Sequence, residues 1–160
     1  MIRHLASGFL AVFFAASASA NPAPDCRLSR YQDGAPLNIA GFKGKVTYVD
    51  FWASWCGPCL QSFPFMAETY KDFKPKGFEL IAVNLDEERE GADAFLAKQH
   101  ADFTIASDPA GDCPRQYDVQ AMPSSFLIDR KGNIRHVHLG FREKDKAEIR
   151  AQIEALLSEP

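Results

Sequence analysis

Val46-Thr47-Tyr48-Val49-Asp50-Phe51-Trp52-Ala53-Ser54-Trp55-Cys56-Gly57-Pro58-Cys59 decides how the rest of this chain is read. Its first seven residues are mostly β-branched or aromatic, with few polar interruptions. Such a run predicts a strand buried on both faces, in the middle of an α/β sheet. Two cysteines follow at its carboxyl end. A pair spaced this closely can close a small disulfide and open it again. A thiolate on Cys56 attacks a partner's disulfide, and Cys59 is placed to resolve the mixed disulfide.

Beyond Cys59 the pattern turns helical. Phe63, Met66, Tyr70 and Phe73 recur at spacings of three and four and make one apolar face. Pro64 lies inside this run and predicts a kink, and Pro75 and Gly77 stop it. Cys56 therefore sits where strand gives way to helix. A helix amino end offers free N–H groups and about half a positive charge, both of which favour a thiolate. Cys59 lies one turn further in, where that field is weaker, so Cys56 attacks and Cys59 resolves. Pro58 stands at an early helical position, where its missing N–H does least harm. Gly57 allows close approach of a partner chain, and Trp55 offers an apolar surface beside the sulfur.

Further along, residues 78–84 read as a second buried strand. Acids at 86–88 suit the first turn of a helix running to about residue 99, with Ala94, Phe95 and Ala97 inward. Residues 103–106 form a short strand and 113–117 a short helix. Two strands, 124–129 and 133–139, are joined by a tight turn at Arg130-Lys131-Gly132. A final amphipathic helix spans 143–157, with Ala147, Ile149, Ile153, Leu156 and Leu157 apolar. Residues 37–39 make a short edge strand before a turn at 41–45. Alternation early and a hairpin late predict an α/β fold, a central mixed β-sheet flanked by α-helices. Function is expected in loops at the carboxyl ends of its parallel strands.

The chain starts differently. Arg3 and His4 precede an apolar stretch, and Ala18-Ser19-Ala20 matches the small-x-small cleavage pattern of a secretory signal peptide. The domain expectation is a leader at 1–20, a flexible N-terminal segment at 21–36 and one domain at 37–160. The leader holds one of the 18 basic residues and none of the 21 acidic ones, leaving a net charge of −4. No basic stripe is visible, so nucleic acid is not an expected partner. Export implies an oxidising compartment, read here as the periplasm, where disulfides persist.

Four cysteines allow three full pairings. The close pair nearly fixes one and leaves Cys26 and Cys113 for a second, structural bridge that would constrain the unfolded chain. The alternative is a Cys26 that is free or pairs between molecules. A zinc site needs two further ligands. Cys26 and Cys113 are isolated, and His100, His136 and His138 show no ligand spacing to the pair. Neither a resident metal nor any other cofactor is expected.

The segment 49–59 resembles the active-site segment of the thioredoxin superfamily. The segment 117–132, with Ala121-Met122-Pro123-Ser124-Ser125-Phe126-Leu127-Ile128-Asp129, resembles that family's cis-proline segment. The leader, the acids at 86–87 and the 126–129 run make the exported TlpA-like and ResA-like branch the nearest. The resemblance implies a thioredoxin fold, a cis peptide before Pro123, and a Met122 backbone that pairs with an extended substrate strand. It also implies that Asp50 is a buried acid exchanging a proton with Cys59. An aspartate in an apolar strand is costly unless neutral or hydrogen-bonded, and burial raises its pKa. In cytochrome-maturation relatives an acid after the second core strand lies near the cysteines, and Glu87 matches that place. The implied activity is reduction of protein disulfides by a monomer, with a client protein disulfide on one side and a membrane thiol-transporting electron donor on the other. An oxidant or isomerase of secreted proteins, and a copper-handling module, are the other readings.

Overall fold

The stretch that decides the sequence reading forms the central strand. The computed structural model describes residues 20–160, and all but the last residue of the leader expected at 1–20 lies outside the described residues. The elements are β1 (Arg27–Arg30), β2 (Pro36–Asn38), β3 (Val46–Trp52), α1 (Gly57–Phe73), β4 (Phe78–Asn84), α2 (Arg89–Leu96), β5 (Thr104–Ser107), α3 (Asp112–Gln116), β6 (Ser124–Ile128), β7 (Ile134–Leu139) and α4 (Lys146–Ser158). They build a seven-stranded mixed sheet in the order β2-β1-β5-β4-β3-β6-β7. β3 pairs in parallel with β4, from Val46 opposite Phe78 to Trp52 opposite Asn84, and antiparallel with β6. All seven residues of β3 are buried, as are all seven of β4. This is the thioredoxin fold, with helices on both faces of the sheet.

Side chains alternate along a strand, so β3 feeds two cores. Val46, Tyr48 and Trp52 join the larger one, with Phe63 and Phe73 of α1, Phe95 of α2, and Ile149 and Ile153 of α4. Val49 and Phe51 face the other way, onto Cys26, Leu28, Cys113, Tyr117 and Phe126. Asp50 shares its alternation with Tyr48 and Trp52 and so lies on the side of the sheet that α1 covers.

The structure corrects two boundaries and the inward faces of two helices. Residues 21–36 are built into the sheet: Pro22 bridges Asn133, Ala23 N–H donates to the Gly132 carbonyl at 2.9 Å, and β1 is inserted between β2 and β5. The buried Leu28 anchors it. A four-residue strand between polar residues carries too little periodicity to be read from sequence. The helix expected from 86 begins at Arg89, because the Asp86 carboxylate is taken by Ser54 and Asn84. Its inward residues are Ala92 and Phe95, while Ala94 and Ala97 are exposed. That phase lets Phe95 insert against Trp52 and Phe63, with ring centroids 4.7 and 4.8 Å away. In α4 the buried residues are Ile149, Ile153 and Leu156, and Ala147 is exposed.

Candidate active site

After Trp52 the chain turns sharply. The Cys56 N–H donates to the Ala53 carbonyl at 3.1 Å, which closes the turn and delivers Cys56 to the N-cap of α1. Its Sγ accepts from the Cys59 N–H at 3.3 Å. Pro58 occupies the first turn, where no donor is lost to the helix. Cys56 and Cys59 are joined in a disulfide with Cα atoms 5.3 Å apart. Cys56 is 5% exposed and Cys59 fully buried, so a partner reaches the first sulfur and not the second. Trp55 is 74% exposed beside them. A side chain at Gly57 would meet nothing within 4 Å, so the space in front of the pair is open.

The Met122–Pro123 peptide is cis. β6 starts immediately after it, with Ser124 opposite Phe51 at the carboxyl end of β3. Pro123 therefore lies at the same end of the sheet as the cysteine turn. Its carbonyl accepts from the Gly140 N–H at 2.8 Å, and the Ser124 hydroxyl donates to the Ala121 carbonyl at 2.7 Å. Pro123 is buried, and the half-buried Met122 packs against the larger core.

Asp50 is 1% exposed. The Ser125 hydroxyl, its direct cross-strand neighbour, donates to Oδ1 at 2.6 Å. Among the described residues Oδ2 has no hydrogen-bond partner. Burial pushes the carboxyl up from its ordinary 3.8 to about 7, and the Ser125 hydrogen bond opposes that rise. Burial, with the neighbouring Asp50 charge, also raises the Tyr48 hydroxyl. A carboxyl poised near neutrality on the α1 side of β3 can take or give a proton at the pH where a thiol must lose one.

Sequence reasoning missed Ser125 and a second polar cluster. The Ser54 N–H and hydroxyl both donate to the Asp86 carboxylate at 2.9 Å, and the Asn84 amide donates to it at 2.7 Å. Polar residues at the ends of two adjacent parallel strands are the signal that would have found it. Glu87, the acid singled out by resemblance, is exposed and makes no hydrogen bond or ion pair among the described residues. Cys26 and Cys113 are joined in a disulfide, Cα atoms 5.2 Å apart, that ties the residue just before β1 to α3 in the smaller core. His138 Nε2 is hydrogen-bonded to Gln152 Oε1 at 2.8 Å.

The chain is similar to known proteins in sequence and in fold. The Redoxin family profile matches residues 18–153. Thiol-disulfide oxidoreductase ResA of Bacillus thuringiensis is 34% identical over 116 residues, covering 72% of this chain and 67% of ResA. The ResA of Geobacillus kaustophilus is 31% identical over 133 residues, 83% of this chain and 76% of its own. A Chlorobium tepidum crystal structure described as a thiol:disulfide interchange protein DsbE superimposes with a TM-score of 0.83 at 47% identity, over 87% of this chain and 97% of that one. A second Chlorobium tepidum structure, a thiol:disulfide interchange protein of the thioredoxin family, gives 0.77 at 27% identity, over 89% and 100%. The chain belongs to the Redoxin family of the thioredoxin superfamily and is a thiol–disulfide oxidoreductase similar to ResA and DsbE.

Proposed function

We propose that this protein is exported through a leader at residues 1–20 and reduces protein disulfides in the periplasm, its own dithiol being renewed by a membrane thiol-transporting donor. The observation that carries the reading is the Cys56 sulfur at the N-cap of α1, facing a backbone N–H, while Cys59 is buried one turn on. A thiolate is favoured at the first position and access is denied at the second.

The steps follow. Cys56 thiolate attacks one sulfur of the client disulfide; an S–S bond forms to the client and the second client sulfur leaves as thiolate. Trp55, Gly57, Pro58 and the Met122–Pro123 backbone hold the client chain. Cys59 then loses its proton to Asp50 and attacks Cys56 Sγ, which closes the Cys56–Cys59 disulfide and releases the first client sulfur. Two electrons have passed from the dithiol to the client; the Cys59 proton rests on Asp50, and the two client thiolates take up protons from solvent.

The reducing direction rests on the Gly57-Pro58 pair, as in thioredoxin, whose potential is about −270 mV, and on Asp50. Redox titration of Cys56–Cys59 against glutathione tests it. A potential near that of thioredoxin is expected; one near about −180 mV, as in protein disulfide isomerase, overturns the reductant and favours the isomerase.

A further inference from the structure

The residue that delivers Cys56 to the helix end is not itself in the motif. Ser54 opens the two-residue bridge between Ala53 and Cys56, and three elements grip it. The Asp86 carboxylate takes both Ser54 donors, with Oδ2 accepting the N–H and Oδ1 the hydroxyl, each at 2.9 Å. Asn84, buried at the end of β4, donates its side-chain amide to Oδ2 at 2.7 Å, and its own Oδ1 accepts the Asp86 N–H at 3.3 Å. The Leu85 N–H donates to the Trp52 carbonyl at 2.9 Å, which prolongs the β3–β4 ladder up to the turn. From the third side comes Gly91 of α2. A Cβ there would lie 2.5 Å from Ser54 Oγ and 3.4 Å from Ser54 Cβ. The hydroxyl is thus pressed against helix backbone with no room for a methyl group.

We propose that Asp86, Ser54 and Gly91 form a latch that positions Cys56 for exchange, with Asp86 as the positioning residue. The inference rests on the reading of Cys56 as the attacking sulfur. Among the described residues neither Ser54 nor Asp86 hydrogen-bonds to Cys56 Sγ or Cys59 Sγ. It acts by fixing the 53–56 turn, and with it the registry of Cys56 Sγ against the free N–H groups of α1. A charged acceptor holding two donors from one residue is among the stronger hydrogen-bonded arrangements available. Small displacements of a reacting group cost rate steeply.

Two roles for Asp86 predict opposite signs. A carboxylate acting only through its charge disfavours a nearby thiolate, so its removal would lower the Cys56 pKa. A latch keeps the sulfur at the helix end, so its removal loosens that setting and raises the pKa. The test reads the Cys56 thiolate by its absorbance near 240 nm across pH in the full reduced protein, a measurement that needs no client. Rates with a protein disulfide are read alongside. Asp86→Ala and Ser54→Ala are expected to raise the thiol pKa, and Asp86→Ala to slow exchange about tenfold at neutral pH. Gly91→Ala alters no charge or hydrogen-bonding group and should gain helix propensity, yet it is expected to slow exchange in the same way.

Adding Ser54→Ala to Gly91→Ala removes the clashing hydroxyl. The pair is expected to react no more slowly than Ser54→Ala alone, a non-additivity that marks direct contact. A fall in pKa on Asp86→Ala, unchanged pKa and rate with only a lower Tm, or additive losses in the double variant would each overturn the latch. Failure of the wild type to reduce any protein disulfide would overturn the functional reading and leave the pKa test standing.

Discussion

The two disulfides of this chain are the same bond in opposite settings. Cys56–Cys59 spans three residues of sequence and Cys26–Cys113 spans 87. The first lies at a helix amino end with open space before Gly57 and an exposed Trp55 beside it. The second has both sulfurs at 1% exposure or less, packed in a core with Val49, Phe51, Tyr117 and Phe126. Thiolate attack requires access and a stabilised anion, and only the first setting offers both. Cross-linking stabilises more the longer the loop it closes, growing with the logarithm of its length, and only the second closes a long one. Position in the fold, rather than the bond, separates a redox centre from a staple.

The largest expected effect comes from breaking the first bridge. Cys56→Ser removes the attacking sulfur and is expected to abolish turnover of a protein disulfide, while the melting temperature of the reduced protein stays within a few degrees of wild type. Cys59→Ser is expected to accumulate a mixed disulfide with the client, visible as a covalent adduct on a non-reducing gel. Turnover retained by Cys56→Ser would mean that the two bridges had been assigned the wrong way round.

The second bridge should show the mirror image. Replacing Cys26 and Cys113 together by serine releases a long loop in the unfolded chain, with a predicted loss of about 2–5 kcal/mol. Denaturant midpoints measure it. Exchange by Cys56 at a temperature where the variant remains folded is expected to be unchanged. A variant as stable as wild type, or one with a shifted Cys56–Cys59 potential, would break the separation of staple from centre.

Asp50 couples the two concerns, stability and redox chemistry, in one residue. Its folded pKa is raised from 3.8 to about 7 by burial, so between those values the folded state holds a proton that the unfolded chain has released. Stability therefore falls as pH rises through about 4 to 7 and levels off above 7. The shift of roughly three units corresponds to at most about 4 kcal/mol. Asp50→Asn is expected to flatten that slope and to be more stable than wild type at pH 8, as read by urea unfolding at several pH values. It is also expected to slow the Cys59 step near neutral pH. A wild-type stability that does not change between pH 4 and 7 would remove Asp50 from both roles.

Much of this was legible in the chain. The run 46–52 reads as a doubly buried strand because nearly every residue is β-branched or aromatic, and Phe63, Met66, Tyr70 and Phe73 trace one helix face without help from tertiary structure. The sequence offered no such signal for β1, whose place depends on pairing with Ser107 and Ala106 across a gap of some 77 residues. α2 was mis-phased because Asp86 looks like a first-turn acid until its carboxylate is seen holding Ser54. Local pattern reports propensity, and long-range polar pairing then takes residues away from it. Ser125 escaped notice for the same reason: which residue faces Asp50 is a matter of β3–β6 register.

Ser125 gives the smallest expected effect. Its hydroxyl donates to Asp50 Oδ1 at 2.6 Å and lowers a pKa that burial raises. Ser125→Ala removes that donor and leaves both carboxyl oxygens without a side-chain partner, so the carboxyl is expected to titrate above 7. The proton is then held over a wider range, and the fall in stability with pH extends to a higher pH. Near pH 5, where Asp50 is protonated, the loss should be only about 1 kcal/mol, the usual net worth of one hydrogen bond. Above pH 8 the loss should be larger, because an ionised carboxylate has lost its hydrogen-bond donor. Equal losses at pH 5 and pH 8 would mean that the hydroxyl serves packing alone and does not tune Asp50.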